Sequence, residues 1–138
     1  MQSLDRFLKA QAGSYDAALR EIRGGRKRSH WIWYIFPQIQ GLGFSSTAQF
    51  YAITDLEEAK AYLQEPTLRA RLLEISEALL ELSSNDPTEV MGWPDDLKLR
   101  SSMTLFAEAE PGCDVFQKVL DKFYGGAKDQ KTLQILYR

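Results

Sequence analysis

The sequence predicts an all-α protein: a compact single-domain multihelical bundle (residues 1–138), interrupted by an irregular aromatic and glycine-rich segment near residues 30–45. Three observations predict it. Apolar residues recur at helical spacing along most of the chain. Hairpin signals, such as Asn-Gly or Asp-Gly between alternating runs, are absent. The 138 residues, 44% of them hydrophobic and 26% charged, suffice for one sizeable core but not two.

The elements follow in order. "SLDRFLKAQ" puts Leu4, Phe7 and Leu8 on one face, with Ser3 in the N-cap position. "SYDAALREIRGG" repeats the pattern with Tyr15, Ala18, Leu19 and Ile22, and Gly24-Gly25 stops it. Ser45 or Ser46 caps "TAQFYAI", and Thr54 to Glu57 fits a capping box for a helix reaching about Leu63. Pro66 suits a first helical position, and the leucine stripe from Leu68 to Leu82 marks that helix as the expected centre of the bundle. Asp86-Pro87 opens a short turn ending near Gly92, and "PDDLKLRSSMTLFAEA" starts again at Pro94 with acidic residues where the helix dipole favours them. Cys113 to Tyr124 and "DQKTLQILY" close the chain. "HWIWYIFPQIQGLG" reads as either a short strand or a crowded helix, ended by Pro37.

Charge narrows the function classes. The net charge of −2 argues against a nucleic-acid partner, yet residues 1–40 carry seven cations against three anions. The resulting basic patch centres on Arg20, Arg23, Arg26, Lys27 and Arg28. The single cysteine, Cys113, excludes an internal disulfide and fits a reducing compartment. No apolar run reaches the roughly 18 residues that span a bilayer, and "MQSLDRFLKAQ" lacks the order of a secretory signal. The expectation is a cytoplasmic protein with no membrane association. One His and one Cys cannot build a Cys/His zinc site, whereas magnesium held by carboxylates stays open.

Two stretches concentrate chemistry. "RKRSHWIWYIFPQ", residues 26–38, holds the only histidine, three consecutive cations and two of three tryptophans. His30 is the side chain most easily recruited for proton transfer near neutrality, and Lys27 and Arg28 stand upstream to hold an anion. The plain alternative is a histidine bonded to a backbone carbonyl. Trp31 and Trp33 would share a face of a strand but lie about 200° apart on a helix. They are either core or a platform for a flat ring. In "PDDLKLRSSMTLF", residues 94–106, Asp95, Lys98 and Ser102 stack along one helix face that turns apolar at Leu105 and Phe106. That suits a pocket mouth, or simply an exposed Asp95–Lys98 pair. A lysine-activated Ser102 is a weaker option, because Asp95 would keep Lys98 charged. "GLGFSS" offers a flexible loop before a helix start, but has no dinucleotide-binding context.

These same stretches carry a family resemblance. "GRKRSHWIWYIFPQIQGLGFS", "YAITDLEEAKAYL" and "PDDLKLRSSMTLF" make the chain resemble a bacterial domain of unknown function, DUF1810, whose members are often labelled calpastatin. That inhibitor is a disordered chain, whereas this sequence has the apolar periodicity of a packed domain, so the label carries no function here. The resemblance implies a compact helical fold and no established activity. It marks Lys27, Ser29, His30, Trp31, Trp33, Pro37, Gln38, Gly41, Gly43, Asp95, Asp96, Lys98, Ser101, Ser102 and Thr104 as the shared pattern. Trp93 departs from it, standing where a small residue would precede the proline, and would narrow or cap a pocket.

The leading expectation is therefore a pocket between the Lys27–Gly43 segment and the Asp95–Thr104 helix, binding or acting on a phosphorylated or nucleotide-like small anion. In it His30, Asp95 and Lys98 would be the catalytic candidates. Lys27, Ser29, Trp31, Trp33, Gln38, Gly41, Gly43, Asp96, Ser101, Ser102 and Thr104 would contact the ligand. A non-enzymatic module that uses Arg26–Phe36 to bind a protein or a nucleic-acid strand is the second expectation. A purely structural His30–Asp95–Lys98 network is the third. No cofactor or oligomeric state follows from the residues. The leading reading requires the two stretches to meet in space.

Overall fold

Helix α8 (Asp95–Ala109) runs through the middle of the molecule, and every residue on it from Ser101 to Ala107 is buried. A helix buried all round has no polar face, so two of its hydroxyls turn back onto its own backbone. Ser101 Oγ donates to the Leu97 carbonyl at 3.2 Å, and Thr104 Oγ1 to the Arg100 carbonyl at 2.8 Å. The computed structural model describes residues 3–138. Preceding α8 in the chain are α1 (Asp5–Ala12), α2 (Tyr15–Arg23), α3 (Ile32–Ile35), α4 (Ser46–Phe50), α5 (Leu56–Gln64), α6 (Pro66–Leu80) and α7 (Pro87–Met91). Following it are α9 (Val115–Tyr124) and α10 (Gln130–Leu136). The fold is all-α, and no strand occurs among the described residues.

Helix α8 packs against α9, α5, α7, α10 and α3, whereas α6 packs against α9, α2, α5 and α1. The centre is therefore α8, not the leucine-striped α6. Periodicity finds helices with one wet face, which α6 has. In α8 the buried Ser101, Ser102 and Thr104 interrupt the apolar pattern that would have advertised its burial.

Capping follows the sequence with two shifts in register. Leu4, not Ser3, stands at the N-cap of α1, and no side chain among the described residues caps that helix. Asp55, not Thr54, caps α5 by accepting from the Glu58 N–H at 2.9 Å, while Glu58 Oε1 reaches back to the Thr54 N–H at 2.6 Å. Glu65 caps α6 ahead of Pro66, Asp86 caps α7 ahead of Pro87, and Asp129 caps α10.

The segment that reads as strand or helix is a little of both. Four residues form α3, Phe36 and Pro37 end it, and Ile39 then makes a single parallel bridge to Ile53. Two hydrogen bonds fix that bridge: the Ile53 N–H to the Gln38 carbonyl and the Gln40 N–H to the Ile53 carbonyl, both 2.8 Å. Gly41 follows at φ +105°, a conformation that favours glycine, and packs toward Ile135 of α10. Gly43 is needed for space, since a Cβ there would lie 2.7 Å from the Ala48 Cβ. The loop is thereby pressed onto α4 and α10.

Arg6 ties these pieces together. Its side chain is 4% exposed and pairs at 3.2 Å with the fully buried Glu58. It also donates to the carbonyls of Ser3, Phe50 and Ala52. A residue that reads as one more exposed cation in α1 thus anchors both α5 and the α4–α5 connection.

Candidate functional site

The basic stretch between α2 and α3 is held by one carboxylate. Glu21 accepts from the backbone N–H groups of Arg28 and Ser29 at 2.7 and 2.9 Å, from Ser29 Oγ at 2.6 Å and from Trp31 Nε1 at 2.9 Å. Partial burial pushes the Glu21 carboxyl up, but the Ser29 hydroxyl and then the backbone and indole donors outweigh it, bringing its pKa down to about 2. Because the folded pKa lies below the ordinary value of 4.5, the stabilisation is complete above that value and disappears as pH falls toward 2. Such a shift is worth at most about 3 kcal/mol, and about 1–2 kcal/mol for a carboxylate that keeps water contact. Urea unfolding of the parent and of Glu21→Gln should therefore differ by that amount at pH 6 and converge near pH 2. A gap independent of pH would assign the effect to packing instead.

Lys27 comes next. Its backbone N–H donates to the Val90 carbonyl at 2.7 Å, and its ammonium meets Asp95 at 2.8 Å, the Ser29 carbonyl, and the Trp31 ring at 5.0 Å. With its side chain 7% exposed, Lys27 is a structural cation committed to Asp95 and not a free anion holder. The two motif stretches do meet, and this ion pair joins them. Asp95 also pairs with Lys98 at 3.5 Å, and Lys98 lies over the Trp33 ring, 5.2 Å from its centre.

Beside Lys98 opens a cleft of about 520 Å³. One wall is Trp33, Gln38 and the loop and helix start Leu42–Ser45 with Ala48. The other is Pro94, Leu97, Lys98, Arg100 and Ser101 of the α8 region, and Asp129 and Lys131 close one end. Arg100 spends its Nε and one terminal nitrogen on the carbonyls of Ala127 and Lys128. Asp129 Oδ2 accepts from the Thr132 N–H and hydroxyl and lies 3.2 Å from Ser101 Oγ. Among the described residues neither Lys131 nor the Gln38 side chain has an ion-pair or hydrogen-bond partner.

The residues that sequence reasoning singled out divide accordingly. Trp33, Gln38, Gly43, Lys98 and Ser101 line the cleft. Trp31 does not: at 1% exposure it is core, its indole N–H held by Glu21. Ser29 is spent on Glu21. Thr104 is buried, accepting from the Asp129 N–H at 2.9 Å, and Ser102 is buried with its hydroxyl unpartnered. Asp96 faces α7, accepting from Thr88 Oγ1 at 2.7 Å. Gly41 packs on α10. Trp93 stands 76% exposed outside the cleft and does not narrow it, while Pro94 beside it lines the wall.

His30 is the sharpest correction. It is exposed, makes no hydrogen bond among the described residues, and lines a separate shallow depression beyond Trp33. Asp95 and Lys98 are together, but His30 does not join them at the cleft, so no acid/base trio is assembled. Sequence reading missed Glu21, Arg100, Asp129 and Lys131. Asp129 was visible only as a helix start, and nothing local links Glu21 to a loop that bonds to it seven to ten residues later.

Among the described residues no helix is long and apolar enough to cross a membrane. No curated protein matches the chain. The crystal structure of the conserved hypothetical protein Rv1873 from Mycobacterium tuberculosis is similar, with a TM-score of 0.96 and 47% identity over 98% of this chain and 96% of that one. The family model for the protein of unknown function DUF1810 matches residues 1–136, and the chain belongs to that family.

Proposed function

We propose that the cleft between Trp33–Ser45 and the first turns of α8 binds a small phosphorylated ligand carrying a flat ring, of the nucleotide-like class. The observation that carries the reading is one cleft that combines the Lys98 ammonium over the Trp33 ring with Lys131, which has no partner among the described residues. Lys98 is only loosely committed, since its 3.5 Å approach to Asp95 leaves it free to turn toward a phosphate. The exposed Phe44 and the partly buried Trp33 offer ring faces, and the Gln38 amide offers both a donor and an acceptor to a ring edge. Asp129 at the end of the cleft favours a ligand that brings a hydroxyl as well as an anion. The role is binding; the position of His30 gives no support to acid/base catalysis in this cleft.

The test is thermal unfolding with adenosine diphosphate, NAD, ADP-ribose, sugar phosphates and pyrophosphate. A ligand at about 100 times its Kd adds about 2.7 kcal/mol, or several degrees in the midpoint. The expected result is a shift from a phosphorylated, ring-bearing compound that Lys98→Ala abolishes and His30→Ala retains. No shift from any compound, or a shift lost only in His30→Ala, would overturn the proposal.

A further inference from the structure

On the far side of Trp33 lies an open depression of about 570 Å³ that the anion cleft does not use. Its walls are the rings of Trp33, Tyr34, Phe50 and Tyr51. Phe50 is half exposed and stands edge-on to Tyr51, with ring centres 4.8 Å apart and planes at 84°. Tyr34 and Tyr51 are 5.2 Å apart at 53°. Rings in contact at such angles present a ridged aromatic surface and do not make a continuous flat platform. The groove is also preformed: Tyr34 is fixed by a 3.0 Å hydrogen bond to Ser14 Oγ, and Arg6 holds the Phe50 carbonyl at 2.9 Å. Little ordering is left for a partner to impose.

We propose that this depression is a docking groove for an extended, proline-rich peptide segment. Three features select that partner. First, no Lys, Arg, Asp or Glu lines the groove, so it does not match the charged backbone of a nucleic-acid strand, which needs a cationic track. Second, its polar groups can all donate: the Trp33 indole N–H, the Ser46, Thr47 and Tyr51 hydroxyls and the His30 ring have no partner among the described residues. A polyproline II segment is the complementary chain, since its carbonyls are solvated and its prolines bring no N–H. Third, the lining is aromatic, the kind of surface on which proline-rich segments pack, and the preformed helix loses little entropy on docking. Addition of a β-strand has no counterpart here, because Ile39–Ile53 is a lone bridge and no sheet edge borders the groove. His30, which the anion cleft leaves out, belongs to this second site.

The experiment is a titration of the whole chain with decaproline, followed through the indole N–H resonances of its tryptophans. The expected result is a saturable shift of the Trp33 signal, with the buried, Glu21-bonded Trp31 signal unmoved. Phe50→Ala should weaken binding by about fivefold or more, as truncating an interface anchor does. Its exposed ring makes this variant safe for folding, whereas Tyr51 also packs on Phe7. No Trp33 shift at millimolar peptide would overturn the proposal. So would a shift indifferent to Phe50→Ala, or a stronger response to oligodeoxythymidine than to decaproline.

Discussion

Replacing Arg6 with alanine is expected to lower the unfolding free energy by about 3–5 kcal/mol, the cost of leaving one partner of a buried ion pair uncompensated. The reason is geometric. Glu58 is fully buried and has Arg6 as its only cation among the described residues, and the same guanidinium satisfies three backbone carbonyls from Ser3, Phe50 and Ala52. Removing it strands a charge and three acceptors together. Native domains are stable by only about 5–15 kcal/mol, so the variant should sit near the edge of folding at 37 °C. Arg6→Lys should recover only part of the loss, because a point ammonium cannot reproduce the planar fork that serves four acceptors. Urea midpoints read both. A loss below about 1 kcal/mol for Arg6→Ala, the range of an exposed pair, would mean that the ion pair is solvated after all.

The second large effect is expected at Asp95. Asp95→Ala should cost about 2–3 kcal/mol, less than the full penalty for a buried pair because Lys98 keeps some access to water. Among the described residues Asp95 is the only carboxylate paired with Lys27, and without it two ammonium groups face each other beside Trp31 and Trp33. Adding Lys27→Met should restore much of the stability, since the remaining demand is then apolar packing. If Lys27→Met leaves the Asp95→Ala loss unchanged, the two residues are not coupled, and the joint between the motif stretches lies elsewhere. The measurement is the interaction term of the double-mutant cycle.

How far the sequence discloses this molecule depends on the physics of each element. Helices α2, α6 and α9 each keep one wet face, so their spacing is plain in the residues, as are Pro66 at the start of α6 and the glycines that end α2 and α9. Helix α8 is legible in extent, beginning after Pro94, but not in importance, because its buried Ser101, Ser102 and Thr104 look polar on paper, although Ser101 and Thr104 bond back to the helix's own backbone. Arg6 and Glu21 are illegible for a different reason. Each looks like an ordinary surface charge within an amphipathic helix, and its partners arrive from segments outside that helix that the fold brings near.

The candidate site is half legible. That Arg26–Gln38 and Pro94–Phe106 form opposing walls follows from charges and aromatic rings crowded where helical regularity fails. Which ring faces the cleft does not. Trp31 and Trp33 fall on opposite sides of the first turn of α3, one to the core and one to the cleft, the separation that a helix imposes and a strand would not. The choice between strand and helix was the ambiguity the residues left open. Lys27 misled for the same reason that buried charges generally do: its sequence neighbours are cations, while its partner, Asp95, lies far along the chain at the start of α8.

The most direct measurement is an amide chemical-shift map of the intact chain during titration with adenosine diphosphate. Saturable shifts are expected, confined to Trp33, Gln38, Leu42–Ser45, Leu97–Ser101 and Lys131 and reduced in Lys98→Ala. Shifts centred on Arg26, Arg28 and His30 with the cleft residues silent, or no saturable shift anywhere, would contradict it.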